Sequence, residues 1–522
     1  MATVERSGFQ KLFRKVLPDV QMPSRRTLGR QIEDLHQLHK ADLIAELTNV
    51  TYLSVAADLW SSHKRGFLGI TVHYIDPERL ERVSHVLACR RFKGSHTGQQ
   101  IAAVMTGIFE EFEITSKVTA CITDNAANMA KAVRLLEAAC SESIDTDGVD
   151  AAVSTDDAGV EAVPIHDLLA EEASRDDDLK MIAKQVRCAN HTLNLVAAVD
   201  SRAARSDDKF KRAYDNAMAK VQALSNAVNK SVKHADVVEE VAGIAFLNPT
   251  CTRWSSEFNA VTRIVNVGLE KVRECQLKIG LVPLTESNMS FLKGFVQVMK
   301  PLAVAMDFLQ GETECFVGQV IPTVMGVQAK LSSMVIDSTM KPLADALLAG
   351  LQNRFRAIFA DDQYHLASML IPEFKLNYLP ENERHTKKLL LAHAVSAVVN
   401  DQITSSTTCT ATSIQPQQVT GVPDDDDLFQ FIKYNTSTES AQRGQTIDQE
   451  IETYVNSSET RTTLILQFPH LLKAFLKYNA ALPSGAAVER LFSCAGQILV
   501  PRRCKVSDDM FEKFVFLRYK LK

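Results

Sequence analysis

The fold of this sequence is decided within residues 52–89, in the stretches YLSVAAD (52–58), GFLGITVHYI (66–75) and LERVSHVLAC (80–89). Each stretch is rich in β-branched and other apolar residues, and turn-forming residues such as Asp76 and Pro77 separate them. This pattern predicts three β-strands. Because the connections between them are only a few residues long, we expect an antiparallel meander.

A helix and a further strand follow. Thr97 is suited to cap a helix, because apolar residues recur at helical spacing at positions 101, 104, 105, 108 and 112. Residues 118–123 (VTACIT) form a continuous apolar run that is typical of a buried strand, and a second helix is expected from about 125 to 139. The resulting order, β-β-β-α-β-α, places Asp58 at the end of the first strand and Asp124 at the end of the fourth.

The composition favours a helix-rich protein. Only 21 glycines and 16 prolines occur among 522 residues, well below a usual combined share of about 12%, which argues against collagen-like, disordered and all-β classes. Hydrophobic residues make up 46% of the chain, enough to build the cores of two to four domains. The sequence has no apolar run long enough for a membrane span and no apolar signal-peptide region, so we expect a reducing compartment.

The ten cysteines occur singly, without a C-x-x-C pair, and the first 88 residues contain none. In such a chain most cysteines are expected to be small buried residues rather than disulfide partners. We therefore expect neither a zinc finger nor bound zinc.

Charge is distributed unevenly. The net charge of the chain is −5, but residues 141–179 contain 13 acidic side chains and one basic one, so the rest of the chain carries +7. A chain that is basic outside one acidic segment is compatible with a protein that binds or processes polyanions. An ordinary solvated linker explains the acidic segment equally well.

Long helical patterns dominate from about residue 202 to 400, after a short strand and helix at 186–199. A low-complexity stretch at 404–420 and four aspartates at 424–427 indicate a linker. Two helices are expected in the final segment, at 486–496 and 507–520, the second capped by Ser507.

Asp58 and Asp124 are the first candidates for chemistry. Strands one and four would lie side by side, so the two carboxylates could meet at one edge of the sheet. Two carboxylates that close together repel each other unless a cation lies between them, and Mg²⁺ or Mn²⁺ would suit such a pair. Aspartate is also a common turn former at strand ends, which leaves a purely structural role open.

Five blocks in register resemble the hAT superfamily of DNA transposases and the BED-finger transposase-like proteins derived from it. They are AADLWSS (56–62), ITDNAANMAKA (122–132), RCANHTLNLV (187–196), CTRWSSE (251–257) and the long C-terminal block LPSGAAVERLFSCAGQILVPRRCKVSDDMFEKFVFLRYK (482–520). The stretch MPSRRTLGRQI (22–32) is similar to the segment that precedes the catalytic core in that family.

The resemblance implies an α/β protein with an RNase H-like mixed sheet core, interrupted by a large all-helical insertion. It implies a helical N-terminal segment at 1–50, the first part of the core at 51–200, the insertion at 201–445 with its linker at 401–427, and a dimerisation region at 446–522 that completes the core. Asp58, Asp124 and Glu489 match the three catalytic acids, which would hold Mg²⁺ or Mn²⁺ for hydrolysis and strand transfer of DNA phosphodiesters. For Glu489, the alternative to a catalytic role is a surface ion pair with Arg490.

Further residues match positions near DNA in the family. Trp254 matches a tryptophan that stacks on a flipped base, and Arg253 beside it would contact a phosphate; a core tryptophan and a helix cap are the alternatives. Cys188 and His191 form the family's C-x-x-H element near the DNA end. Two ligands do not make a zinc site, and His191 is better suited to hydrogen bonding at a helix start.

The C-terminal block is strongly apolar, and the residues expected to contribute to dimerisation are Leu491, Phe492, Phe514 and Leu517. Either a partner chain or the last helix, packed on the chain's own core, could cover them, since residues 514–517 are apolar around a whole turn.

The sequence departs from the family in having no BED finger and in reading SGAAVER around Glu489. Two functions therefore stay open: a nuclear, DNA-binding and dimeric hAT-type protein that cleaves DNA with Mg²⁺, or a catalytically silent descendant that acts as a dimeric chromatin or transcription-factor scaffold.

Overall fold

The structure is a computed structural model that describes residues 2–62, 64–94, 97–124, 184–246, 254–311, 313–403, 427–432, 446–500 and 506–521. Four features singled out in the sequence lie outside these ranges: the helix predicted at 125–139, the acidic segment at 141–179, the low-complexity stretch at 404–420 and Arg253.

Five strands form one mixed sheet. They are β1 (Leu53–Ser62), β2 (Arg65–Ile75), β3 (Arg82–Phe92), β4 (Val118–Thr123) and β5 (Lys184–Arg187). Their order across the sheet is β3-β2-β1-β4-β5. The first three strands pair antiparallel, whereas β4 lies parallel to both β1 and β5. The antiparallel meander and the RNase H-like mixed sheet predicted from the sequence are confirmed.

Helices make up most of the remaining described chain. They are α1 (Ser7–Val16), α2 (Arg25–Thr48), α3 (Gly98–Glu111), α4 (Ala189–Ala198), α5 (Asp208–Lys230), α6 (Val232–Ala242), α7 (Trp254–Val267), α8 (Leu269–Lys278), α9 (Glu286–Phe308), α10 (Val320–Ser333), α11 (Lys341–Phe359), α12 (Asp362–Met369), α13 (Glu381–Ile403), α14 (Ile447–Asn456), α15 (Pro469–Tyr478), α16 (Ala486–Ile498) and α17 (Asp508–Lys520). The predicted caps are present, since Thr97 accepts a hydrogen bond from the Gln100 N–H and Ser507 accepts one from the Met510 N–H. Within the described ranges, no helix has both the length and the apolarity that crossing a bilayer requires.

The pleat of the strands divides their side chains between two cores. Leu68 packs on one face of the sheet with α2 and α3, around Met105. Its neighbour Phe67 points to the other face and packs with α16, around Leu491. Helix α17 lies along β3 and contributes to both cores, which explains why residues 514–517 are apolar around a whole turn.

The helical insertion has the largest core of the described chain. This core extends from α4 to α15 and reaches the sheet at Ala56, Ile122 and Val186. Leu471 and Phe475 of α15 belong to it as well, although they follow residue 446. Of the helices after residue 446, it is α16 and α17 that pack on the cores of the sheet.

Arg82, the first residue of β3, joins the sheet to the insertion. Its buried guanidinium donates hydrogen bonds to the backbone carbonyls of Cys315, Asn479, Ala480 and Ala481. Burial lowers the pKa of Arg82 to about 10. Carbonyl oxygens from two distant loops thus stabilise a charge that would otherwise be costly to bury.

Candidate acidic site

Asp58 and Asp124 occupy equivalent positions on neighbouring parallel strands. The ladder between β1 and β4 ends where Ala56 pairs with Ile122, and each aspartate lies two residues further along its strand. The prediction that Asp58 closes its strand is wrong, because β1 continues to Ser62 through pairing with β2. Asp58 therefore lies within a strand, whereas Asp124 directly follows the end of β4.

Glu489 reaches the same region from the far end of the chain. It lies in the first turn of α16, which packs on β1 and β2. The contact is made by Phe492, whose ring stacks on Trp60 at 5.7 Å between ring centroids and also lies against Gly69. Trp60, which follows the first aspartate closely and is expected to be a core residue, is partly buried against this core. Because Glu489 is only three residues from Phe492, the packing of Phe492 determines the position of Glu489, the third acid.

The three acids form one electrostatic cluster around Asp58. The pKa of Asp58 is raised to about 6, chiefly because its carboxyl is largely buried and then because the charge of Asp124 is close; Glu489 adds a smaller contribution. A hydrogen bond of 2.7 Å from the Leu59 N–H to Asp58 Oδ1 acts in the opposite direction. Asp124 and Glu489 thus lie near enough to Asp58 to act on its charge, with Glu489 exposed on α16.

The donor set of this cluster suits a hard divalent cation. Carboxylate oxygens are the ligands that Mg²⁺ prefers, and a cation would offset the repulsion that raises the pKa of Asp58. Asp58, Asp124 and Glu489 are the residues that would hold it. In the ranges that the structure describes, no group of three or more His, Cys, Asp and Glu side chains is placed so that it could hold a metal ion, so the three carboxylates would have to come closer together to bind one.

Cys188 connects the second acid to the third. Its backbone N–H donates to the carbonyl of Thr123, the residue before Asp124, at 3.1 Å. Its Sγ accepts a hydrogen bond from the N–H of Gly485, at the start of α16, at 3.3 Å, and another from the N–H of His191 at 3.4 Å. Cys188 is buried, so the DNA contact predicted for it is not available in this conformation.

His191 lies where the sequence predicted it, whereas Trp254 has the core position that was its alternative. His191 is half-buried in the first turn of α4, as expected for a residue at a helix start. Trp254 begins α7 and is only 8% exposed, with its ring against Phe258 in the core of the insertion. In the described chain its indole N–H lacks a hydrogen-bond partner. The core alternative thus describes Trp254 in this conformation, and base stacking would require the ring to move.

The residues predicted to contribute to dimerisation lie in the chain's own cores. Leu491, Phe492 and Leu517 are buried, and Phe514 is half-buried against the same core as Leu491. The sequence left open whether a partner chain or the chain's own core covers these residues. In the single chain they pack on its own sheet. A dimer through these side chains would require them to leave that core.

Gly69 is a site residue that the sequence reasoning missed. Across the β1–β2 ladder it is the partner of Asp58, and the Phe492 ring occupies the space beside it. The signal was available, because an isolated glycine inside a strand pattern such as GFLGITVHYI often marks the close approach of another element.

The fold and the acid cluster define an RNase H-like α/β protein with a large helical insertion. Residues 56–148 match a family model described as the ZBED1 RNase-like domain. A relative described as "Putative transcriptional regulator tpeD", from Talaromyces stipitatus, is 30% identical over 108 residues, which are 20% of this chain and 13% of that protein. These matches support the resemblance to hAT-type proteins at the level of the RNase-like domain.

Proposed function

We propose that this protein is a transposase-derived nuclear protein that binds DNA and uses Asp58, Asp124 and Glu489 to bind Mg²⁺ or Mn²⁺ at a phosphodiester. The observation that carries the proposal is the placement of Asp58 and Asp124 just beyond paired residues of two parallel strands, with Glu489 on the helix that packs on β1. The charges of Asp124 and Glu489 add to the raised pKa of Asp58, which burial mainly causes. The match of residues 56–148 to an RNase-like domain supports it. The regulator described for Talaromyces stipitatus supports a role in gene control.

The acids have distinct positions for such chemistry. Asp58 is held in a strand, Asp124 directly follows one, and Glu489 lies on a helix, so a substrate phosphate would meet carboxylates from three elements. A bound divalent cation would polarise the phosphoryl oxygens and lower the pKa of a bound water. In hydrolysis, the water oxygen bonds to phosphorus and the P–O3′ bond breaks. The proton of the water passes, through a carboxylate or solvent, to the departing 3′-oxygen, which leaves as a hydroxyl.

Nicking of supercoiled DNA in Mn²⁺ tests the proposal. We expect the wild-type chain to nick and Asp124→Asn to lose nicking at least a hundredfold with an unchanged melting temperature. Asp345→Asn makes the same chemical change on the exposed face of α11 and should nick like the wild type. Equal nicking by Asp124→Asn would refute the assignment of the acids.

A catalytically silent DNA-binding scaffold is the second candidate. The relative from Talaromyces stipitatus, described as a "Putative transcriptional regulator", favours it. In that case Mn²⁺ supports no nicking by the wild type, while the wild type and Asp124→Asn bind duplex DNA with the same affinity. A wild type that neither binds nor nicks DNA would overturn both candidates.

Dimerisation is a separate part of the proposal. We expect a dimer in sedimentation experiments that survives Asp124→Asn and is lost in Phe514→Asp. Because Phe514 is half-buried against the sheet core, the comparison requires that Phe514→Asp keeps its thermal unfolding transition. A folded Phe514→Asp that still dimerises would place the interface elsewhere.

A further inference from the structure

The positive charge of this chain is concentrated near its N-terminus. Residues 6–30, which we call the basic arm, contain seven arginines and lysines and a single acid, Asp19, for a net charge of +6. The whole chain outside the acidic segment at 141–179 carries only +7. The 25 consecutive residues of the basic arm therefore account for nearly all of the net positive charge outside the acidic segment.

The cations of the basic arm are available for binding. All seven are exposed: Arg6, Lys11, Arg14, Lys15, Arg25, Arg26 and Arg30. Helix α1 has no buried residue, and Leu12 and Val16 on it are 58% and 66% exposed. The arm is thus an exposed surface of the described chain and does not belong to its cores.

The direction of α2 shows where the second part of the arm, residues 25–30, lies. Glu46, near the C-terminal end of α2, accepts a hydrogen bond of 2.7 Å from Tyr74. Tyr74 follows His73, which pairs with Ser54 at the start of β1. The end of α2 therefore lies beside the beginning of β1.

The other end of α2 lies towards the opposite edge. Glu33 forms an ion pair with Lys513 of α17. Asp508, at the start of α17, contacts Arg65, which pairs with the last residue of β1. Helix α2 thus runs antiparallel to β1. Arg25 lies eight residues before Glu33, about 12 Å further along the helix axis.

We propose that the basic arm binds the phosphate backbone of duplex DNA at the end of the sheet to which β1 and β4 run, on the face opposite to α16 and Glu489. This inference rests on the proposed DNA binding and names the surface that supplies its affinity. A dense row of exposed cations attracts polyanions by releasing their counterions, independently of base sequence. The acid cluster needs such help, because carboxylates by themselves repel phosphate.

Salt dependence of DNA binding by the full chain provides the test. Fluorescence anisotropy would be measured with two unrelated 30-base-pair duplexes between 50 and 200 mM NaCl, without divalent cations. The arm variants are Lys11→Gln/Arg14→Gln/Lys15→Gln in α1 and Arg25→Gln/Arg26→Gln/Arg30→Gln at the start of α2. Glutamine keeps the helix propensity of the residues that it replaces.

Each arm variant should lose affinity on the order of tenfold or more at 100 mM NaCl, equally for both duplexes. The slope of log affinity against log salt should become shallower by about 2–3, roughly 0.9 for each lost phosphate contact. The matched control, Lys211→Gln/Lys230→Gln/Lys233→Gln, removes three exposed charges from α5 and α6 and should change neither quantity by a comparable amount.

The outcomes test the role of the basic arm separately from the proposed DNA binding. If the wild type binds both duplexes and the arm variants bind them as tightly, with the same salt slope, the basic arm is not the DNA-binding surface. The proposed DNA binding would still hold. That result would assign α1, through Leu12 and Val16, to a protein partner instead. A wild type that binds neither duplex overturns the proposed function itself.

Discussion

Asp58 and Gly69 are cross-strand partners, and the absence of a side chain on Gly69 lets α16 approach the sheet beside Asp58. A Cβ on Gly69 would lie 2.5 Å from Phe492 Cε1 and 3.0 Å from Val488 Cγ2. Glu489 stands between these two positions in the sequence of α16. The close approach of one helix to one glycine therefore sets the distance of the third acid from the first two.

Gly69→Ala should separate the acids. The added methyl group must push Phe492 away, which we expect to cost about 1–3 kcal/mol of unfolding free energy. Nicking in Mn²⁺ should fall more than this loss of stability explains, because Glu489 moves with Phe492. Gly107→Ala is the control, since a Cβ there meets nothing within 4 Å on the exposed face of α3; it should keep full nicking and gain up to about 1 kcal/mol. Unchanged nicking in a folded Gly69→Ala would contradict this account.

The raised pKa of Asp58 makes stability depend on pH. Its value of about 6 in the folded chain lies above the ordinary value of 3.8, so the folded state binds the proton more tightly than the unfolded state does. The folded state therefore loses stability as pH rises from about 4 to above 6, by roughly 3 kcal/mol as an upper figure. Asp58→Asn removes this loss because it stays neutral.

Thermal unfolding without divalent cations checks the sign of that effect. Asp58→Asn should melt at a higher temperature than the wild type at pH 7.5 and at the same temperature near pH 4. Mn²⁺ should raise the melting temperature of the wild type at pH 7.5 and leave that of Asp58→Asn nearly unchanged. A wild type that melts higher than Asp58→Asn at pH 7.5 without metal would show that the Asp58 carboxylate is stabilised, not repelled.

Cys188 should matter for position and not for thiol chemistry. Cys188→Ala leaves the Gly485 and His191 N–H groups without their sulfur acceptor, which should cost about 1–3 kcal/mol. The start of α16 loosens, so the Mn²⁺ concentration that gives half-maximal nicking should rise several-fold. Cys188→Ser keeps an acceptor and should recover part of both effects.

Cys275→Ala is the matched control for Cys188, because Cys275 is equally buried but lies in α8 of the insertion. It should lose stability without any change in the Mn²⁺ requirement. If both alanine variants shift the Mn²⁺ requirement alike, the effect is general destabilisation and Cys188 has no positioning role.

Arg82→Ala should be among the most destabilising single changes. It takes the guanidinium donor away from buried carbonyls of two loops, those of Cys315 and Asn479 among them, and opens the contact between sheet and insertion, for an expected loss of about 3–5 kcal/mol. Arg79→Ala, three residues earlier and exposed, should stay within about 0.5 kcal/mol of the wild type. Urea unfolding measures both, and a loss below about 1 kcal/mol for Arg82→Ala would mean that the insertion is held mainly by apolar contacts.

The local elements of this protein follow from its sequence alone. Period-2 and period-3.6 patterns and the caps at Thr97 and Ser507 are properties of neighbouring residues, so the strands and helices were predictable. The approach of Asp58 to Asp124 was predictable too, because it follows from strand order. Three outcomes follow only from the folded chain: Trp254 is buried, Leu491 packs on the chain's own sheet, and β1 continues past Asp58. Those outcomes depend on contacts between residues far apart in sequence, such as Gly69 with Phe492, whose packing no local pattern records.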